Sequence, residues 1–433
     1  MNSPVPVLIG PSLDLHPGIH GSLLRNPPEG YVHRVRAATH YFYGASQPGS
    51  MRAFSPIRRT HAAECISMGG DGALAHSSRW PVLGRRRWIV ELDDLGYPLL
   101  FGRRGLQASF RDAFARPWSE RLTRDILHRA QTMLVAYAHP SCRRVVFRTH
   151  AALEQAVKFT TALGLEAQMA PVLAKCTVIL PAAGAMDGDA ALRKWRTPGP
   201  LQVVFCGRDF AAKDGELALR VVREVLARGR ALQFTCIGDV PAEFRDAHAD
   251  PRMKFTGALE PAQVQEHLRG AHVLLHTSPA ESVGMVFLEA AAAGMAVIAS
   301  EGPRLPHLSE LLDERGYIAV DRSRGTTRAQ QREFVRALDA LAGDCAHAQA
   351  MGRANLGNAR RGVNSLARRN RAWRHVYDEA RADPGGAALA ERAMRQTAGR
   401  ASARMSTAQL SHAIEDHLAE TPSVRTFHLQ SQN

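Results

Sequence analysis

Two carboxylates, Glu281 and Glu289, frame the segment Glu281-Ser-Val-Gly-Met-Val-Phe-Leu-Glu289-Ala-Ala-Ala-Ala-Gly294. The pattern predicts a loop running into a helix, with Glu281 in the loop and Glu289 inside the helix. Gly284 lets the backbone come close to a ligand. The first N–H groups of a helix lack intrahelical acceptors and its dipole favours negative charge, so this helix start is an anion site. Carboxylates on either side of a bound phosphate suit hydroxyl-rich groups, the layout of a nucleotide sugar. The same residues also fit an alanine-rich amphipathic helix with solvated glutamates, and so short a motif arises by chance.

Two cations, Arg208 and Lys213, stand in Gly207-Arg208-Asp-Phe-Ala-Ala-Lys213-Asp-Gly215. A guanidinium and an ammonium after one strand can clamp a diphosphate and stabilise it as it departs. Solvated surface cations are the alternative in so basic a chain.

The elements that must position these groups form a regular series. Apolar runs at 201–206, 232–237, 253–256, 273–276, 296–299 and 317–320 alternate with helical patterns at about 215–228, from Pro261 to Gly270, through Glu289 to Gly294, and at about 308–314. Near-continuous apolar runs are strands buried on both faces, and their alternation with helices predicts a parallel sheet. Ligands bind such sheets outside the carboxyl ends of the strands. Gly207-Arg208, Gly238-Asp239, the residues from His276 to Ala280 and the Glu281 loop all fall at that edge. His276 is read as a lining or packing residue, because no base and orienting partner accompany Ser278.

Residues 201 to about 330 resemble the C-terminal domain of retaining GT-B glycosyltransferases of the large family four, the glycosyl transferases group 1. The resemblance rests on Gly207-Arg208 with Lys213, on Glu281 and Glu289 with seven residues between, and on Ala290 to Gly294 before an apolar strand. It implies an α/β fold of two Rossmann-like domains facing each other across a cleft (GT-B). It also implies that Arg208 and Lys213 hold the donor pyrophosphate, Glu289 the ribose hydroxyls and Glu281 the transferred sugar. The backbone of Val283, Gly284 and Met285 would meet sugar and phosphate. The implied activity is transfer of a sugar from a nucleoside-diphosphate sugar to a hydroxyl acceptor with retention, in cell-surface or exported polysaccharide or glycolipid synthesis. No resident cofactor and no metal are implied, and no protein nucleophile is assigned.

The expected organisation is an acceptor-side domain over 1–184, a linker over 185–200, a nucleotide-sugar domain over 201–360, a helix at 361–382 crossing back to the first domain, and a flexible tail over 383–433. The N-terminal half is less regular. Its strand candidates are 6–9, 88–92, 144–147 and 177–180, with helices at 119–138 and about 151–163. It departs from the family in lacking a Gly-Gly loop after the first strand. Gly18 and Gly21, in Gly10-Pro-Ser-Leu-Asp-Leu-His16-Pro-Gly18-Ile-His20-Gly21, are the candidates for a looser phosphate loop, with a surface turn as the alternative. His76 is a candidate sugar-side histidine. Asp93 and Asp94 are candidate acceptor-side bases, or else strand-end caps. Asp14, His16 and His20 are not read as a metal site, because Pro17 and Gly18 would break a helix aligning them. Asp187-Gly-Asp189 is read as a turn.

A chain of 433 residues gives room for two or three domains, and 45% hydrophobic with 22% charged residues is ordinary for a globular protein. The apolar start Val5 to Ile9 is short, broken by proline and not preceded by basic residues, so no signal peptide is expected. No stretch reaches the ~20 apolar residues that span a bilayer. Scattered cysteines read as free thiols of a reducing compartment, which suggests a cytoplasmic protein, and the basic clusters suggest a place at the inner face of the membrane. The net charge of +14 fits an anionic membrane surface beside a saccharide or lipid-linked acceptor. It also fits an arginine-rich proteome without any such partner. No zinc finger, RNA-recognition or basic-zipper pattern supports nucleic acid. Two other functions fit the same residues: a non-catalytic nucleotide-sugar sensor or assembly partner, and a sugar-nucleotide epimerase or hydrolase.

Overall fold

The computed structural model describes residues 3–43, 52–54, 65–68, 73–83, 87–93, 95, 120–184, 187–279, 281, 283–302, 305, 307–323 and 325–382. The chain divides into two compact units. One takes residues up to Leu180 together with the segment beginning at Asn370, and the other is Pro181–Arg369.

The first unit contains β1 (Val5–Gly10), α1 (Ile19–Arg25), β2 (Tyr31–Val35), β3 (Ala38–Tyr43), β4 (Arg52–Phe54), β5 (Cys65–Met68), β6 (Leu74–Ser78), β7 (Val82–Leu83), β8 (Trp88–Leu92), α2 (Glu120–Ala138), β9 (Cys142–Phe147), α3 (His150–Ala162), α4 (Glu166–Leu173) and β10 (Cys176–Val178). Six of these strands form a sheet in the order β10-β9-β8-β6-β1-β2, parallel throughout. Alternate residues feed opposite cores. Leu8 and Val90 pack with Met133, Leu134 and Tyr137 of α2, while Val7, Ile9 and Ile89 pack with Leu23, Trp373, Val376 and Tyr377. A separate four-stranded sheet runs β4-β3-β5-β7.

The second unit opens with α5 (Gly188–Arg193), where the sequence suggested a turn; Asp187 caps its start by accepting from the Asp189 N–H at 3.0 Å. It continues as β11 (Leu201–Asp209), α6 (Gly215–Ala227), β12 (Leu232–Asp239), α7 (Ala242–Ala247), β13 (Met253–Phe255), α8 (Pro261–Gly270), β14 (Val273–His276), α9 (Met285–Ala292), β15 (Ala296–Glu301), α10 (Leu308–Leu311), β16 (Tyr317–Asp321), α11 (Thr327–Gly343) and α12 (Cys345–Arg361). The last described helix is α13 (Leu366–Ala382). All six strands are parallel in the order β13-β12-β11-β14-β15-β16. This is the Rossmann order, whose direction reverses between β11 and β14, and ligands lodge at that reversal. Helices cover both faces. Val203 and Phe205 pack with α6 and α11, whereas Val204 and Leu274 pack with α9 and α10. Both units are thus Rossmann-like α/β domains.

Candidate functional site

The β11/β14 reversal gathers the chemistry-bearing residues of the second unit. β11 is bulged between Cys206 and Asp209, which turns the exposed Arg208 out of the regular ladder. The chain then folds into a tight turn. The Lys213 N–H donates to the Asp209 carbonyl at 3.0 Å, the Ala212 N–H to Asp209 Oδ1 at 2.9 Å and the Gly215 N–H to the Phe210 carbonyl at 2.8 Å. Asp214 takes a left-handed conformation at the start of α6. The Lys213 stem lies over Gly207, where a Cβ would stand 2.8 Å from Lys213 Cγ.

The turn is tied to the strand beside it. Thr277 Oγ1 donates to the carbonyls of Asp214 at 2.9 Å and Lys213 at 3.2 Å. Arg322, just past β16, donates to Asp214 Oδ2 at 2.8 Å and to the Thr277 carbonyl at 2.9 Å. These bonds fix Lys213 relative to the end of β14. There Lys213 Nζ forms an ion pair with Glu281 Oε1. The two side chains are 22% and 14% exposed, so solvent screens the pair far less than it would at the surface. His276 Nε2 lies 3.1 Å from the same Oε1.

Gly284 precedes α9 in a left-handed conformation, and among the described residues no side chain caps the helix end. A Cβ there would fall 2.5 Å from the Phe287 ring, so glycine alone fits. Val283 is buried and Met285 half-buried. Glu289 sits on α9 and receives a hydrogen bond from the Gln265 side chain of α8.

The two carboxylates differ in charge behaviour. Burial works to raise the Glu281 carboxyl, but Lys213 and His276 overcome it and bring it down to about 2. Glu289 has no ion pair among the described residues, and burial pushes it up to about 7, with Gln265 opposing only in part. Cys206 reports on the whole group. Burial first, then the negative charge of Glu289 and Glu281, push its thiol up to about 12 against the pull of Lys213 and Arg208. Arg208, Lys213, Glu281 and Glu289 therefore share one electrostatic neighbourhood around the end of β11. The site offers cations and a bare helix start for an anion, and two carboxylates for hydroxyls.

His276 was missed as a partner of Glu281. The signal was a histidine closing the otherwise apolar strand Val273-Leu-Leu-His276 at the ligand edge. Arg322 was missed because its contacts are tertiary.

The N-terminal candidates lie in the first unit. Gly18 is the residue before α1 and its N–H donates to His16 Nδ1 at 3.1 Å, while Gly21 is inside the helix. The stretch after Asp14 thus becomes helical at Ile19, because Ile19 and Leu23 bury one face. His76 is fully buried, with Nδ1 2.9 Å from Tyr377 Oη and Nε2 3.1 Å from Glu91 Oε2. Arg148 Nε donates to Glu91 Oε1 at 2.9 Å, and His20 Nε2 lies 3.3 Å from Glu91 Oε2. Burial disfavours the Glu91 charge, yet Arg148, His20 and His76 hold the carboxyl well below its usual range. Asp93 is gripped by Arg79 at 2.8 and 3.0 Å and neighboured by Arg148 at 3.4 Å. Those guanidinium groups outweigh burial and lower its pKa, making it a weak base. Asp94 lies outside the described residues. Among the described residues no group of three or more His, Cys, Asp and Glu is arranged to hold a metal ion, and no helix is long and apolar enough to cross a membrane.

Residues 200–344 match the family model of glycosyl transferases group 1. Solved structures that match the chain include WaaG, a glycosyltransferase involved in lipopolysaccharide biosynthesis, at 16% identity and TM-score 0.46 over 71% of this chain and 78% of that one. A sucrose-phosphate synthase from Thermosynechococcus elongatus is 14% identical at TM-score 0.46, over 70% and 73%. The C-terminal domain of a glycosyl transferase group 1 family protein (LpcC) from Francisella tularensis is 18% identical at TM-score 0.32, over 40% and 90%. No curated protein matches the chain in sequence.

Proposed function

Taking residues 200–344 as a glycosyl transferases group 1 domain, we propose that the protein transfers a sugar from a nucleoside-diphosphate sugar to a hydroxyl acceptor with retention at the anomeric carbon. The observation that carries this reading is Lys213 and Glu281 in contact at the β11/β14 reversal, beside Arg208 and Glu289. Lys213, Arg208 and the start of α9 bind the diphosphate. Glu289 meets ribose hydroxyls and Glu281 the sugar, with the backbone of Val283 to Met285 alongside. In the reaction the bond from the anomeric carbon to the diphosphate oxygen breaks and a bond to the acceptor oxygen forms on the same face. The acceptor proton passes to the departing diphosphate. Lys213 and Arg208 stabilise the charge that builds on that group, and such positioned cations act most strongly in the transition state.

The test is release of nucleoside diphosphate from a panel of sugar nucleotides, with the anomeric configuration of the product read by NMR. Lys213→Ala and Glu281→Ala should each lower kcat/KM by about 100-fold or more. Losses of only a few-fold in both would count against the assignment.

An anionic membrane surface bearing a lipid-linked acceptor is the partner that the +14 charge supports. Adsorption to vesicles containing phosphatidylserine should then be strong at low salt and vanish near 1 M NaCl, where the screening length falls to about 3 Å. Adsorption that ignores salt would remove this partner. One observation favours a second reading, a nucleotide-sugar sensor. His76, the sugar-side candidate, and Asp93, an acceptor-side candidate, are committed to buried polar and ion-pair networks. Tight sugar-nucleotide binding with no turnover on any acceptor fraction would select the sensor.

A further inference from the structure

Glu281 has two partners on one oxygen. Lys213 Nζ and His276 Nε2 both meet Oε1, the histidine at 3.1 Å. An ionised carboxylate only accepts, so His276 carries the proton on Nε2 and donates it. The two partners are built differently. Lys213 is a flexible side chain on a turn, at the mouth of an anion site. His276 ends β14, is 4% exposed, packs against Phe287 with ring centroids 4.4 Å apart and planes tilted at 58°, and has its carbonyl bonded by Ser300 Oγ at 3.4 Å. Among the described residues His276 Nδ1 is buried without a hydrogen-bond partner, and the polar contact of the ring there is Glu281.

A diphosphate carries more negative charge than one carboxylate and competes for the same ammonium. When it takes Lys213, Glu281 loses its cation inside a poorly solvated site. A carboxylate left there without a donor would move towards water or take up a proton. We propose that His276 is a positioning residue: it keeps the Glu281 carboxylate in the site, oriented to meet the sugar, once the donor diphosphate has drawn Lys213 away. Lys213 and Glu281 thus close on each other in the empty site and part on loading, and His276 holds the carboxylate through the exchange. This deepens the glycosyltransferase reading and rests on it.

The test uses His276→Phe, which keeps the ring against Phe287 and removes the donor, and His276→Gln, which keeps a donor at similar reach. Calorimetry would measure the full chain with UDP, GDP and ADP, and with their glucose, galactose and N-acetylglucosamine conjugates. His276→Phe should bind the bare diphosphate within about 3-fold of wild type. It should bind the matching sugar conjugate about 10-fold or more weakly, the scale of one lost hydrogen bond to a charged group. His276→Gln should recover most of that loss. Equal weakening of diphosphate and conjugate, unchanged binding of both, or failure of glutamine to rescue would overturn the proposal. So would a wild type that holds no conjugate better than its bare diphosphate. If the wild type binds none of the diphosphates, the glycosyltransferase reading itself falls and this one with it.

Discussion

Glu281 and Glu289 flank one helix start and titrate in opposite directions. Glu281, drawn down to about 2, contributes stability that is present above its ordinary value and lost as pH falls towards 2. Glu289, raised to about 7, has the reverse sign. Its native form binds a proton that the unfolded chain has released above pH ~4.5. Its contribution is therefore full below that value and disappears as pH rises through about 7. Urea unfolding of wild type and Glu289→Gln across pH 5 to 8 should show wild type losing stability relative to the variant, by up to about 3 kcal/mol. A difference independent of pH would mean that Glu289 stays ionised when folded.

At the scale of elements, the ends of β11 and β12 meet almost without clearance. Gly238 has φ +133°, and a Cβ there would lie 1.9 Å from the Gly207 carbonyl oxygen. Gly238→Ala should destabilise the second domain by about 2–4 kcal/mol and disturb Lys213 through Gly207, since strain and a backbone clash add. Denaturant midpoints and diphosphate affinity measure the two effects, and a variant unchanged in both would show that the strands part cheaply. The second domain was legible because strands such as Val273-Leu-Leu-His276 are buried on both faces and punctuated by glycine. The first was legible in β1, β8, β9, β10, α2 and α3, whereas the central strand β6 was read as a loop. β4 and β7 are too short to carry a period, and Tyr31–Val35 is largely exposed along its length. The Asp187 segment carried turn residues, yet the same aspartate serves as a helix cap. That Glu281 and Lys213 lie at one sheet edge was readable from the order of strands and helices. The bonds joining Glu91 to His20, His76 and Arg148 were not, because three separate elements and the loop after β9 supply them.

On the scale of the whole molecule, the chain leaves its first domain after Leu180 and supplies that domain again from Asn370. Trp373, Val376, Tyr377 and Ala380 of α13 pack into the same core as Val7, Ile9, Leu23 and Ile89. Tyr377 Oη lies 2.9 Å from both His76 Nδ1 and His33 Nε2. The Arg144 guanidinium, in turn, bonds Glu379 Oε2 at 2.9 and 3.1 Å.

The first domain is thus written in two instalments, with the second domain as a continuous passage between them. Cut into separate genes, residues 181–369 should fold as an autonomous fragment. Residues 1–180 alone should give an expanded, dye-binding species that tightens when a synthetic peptide of residues 366–382 is added, a trans-complementation readable by near-ultraviolet circular dichroism. A 1–180 fragment that folds cooperatively without the peptide would make the returning helix a passenger instead of a component.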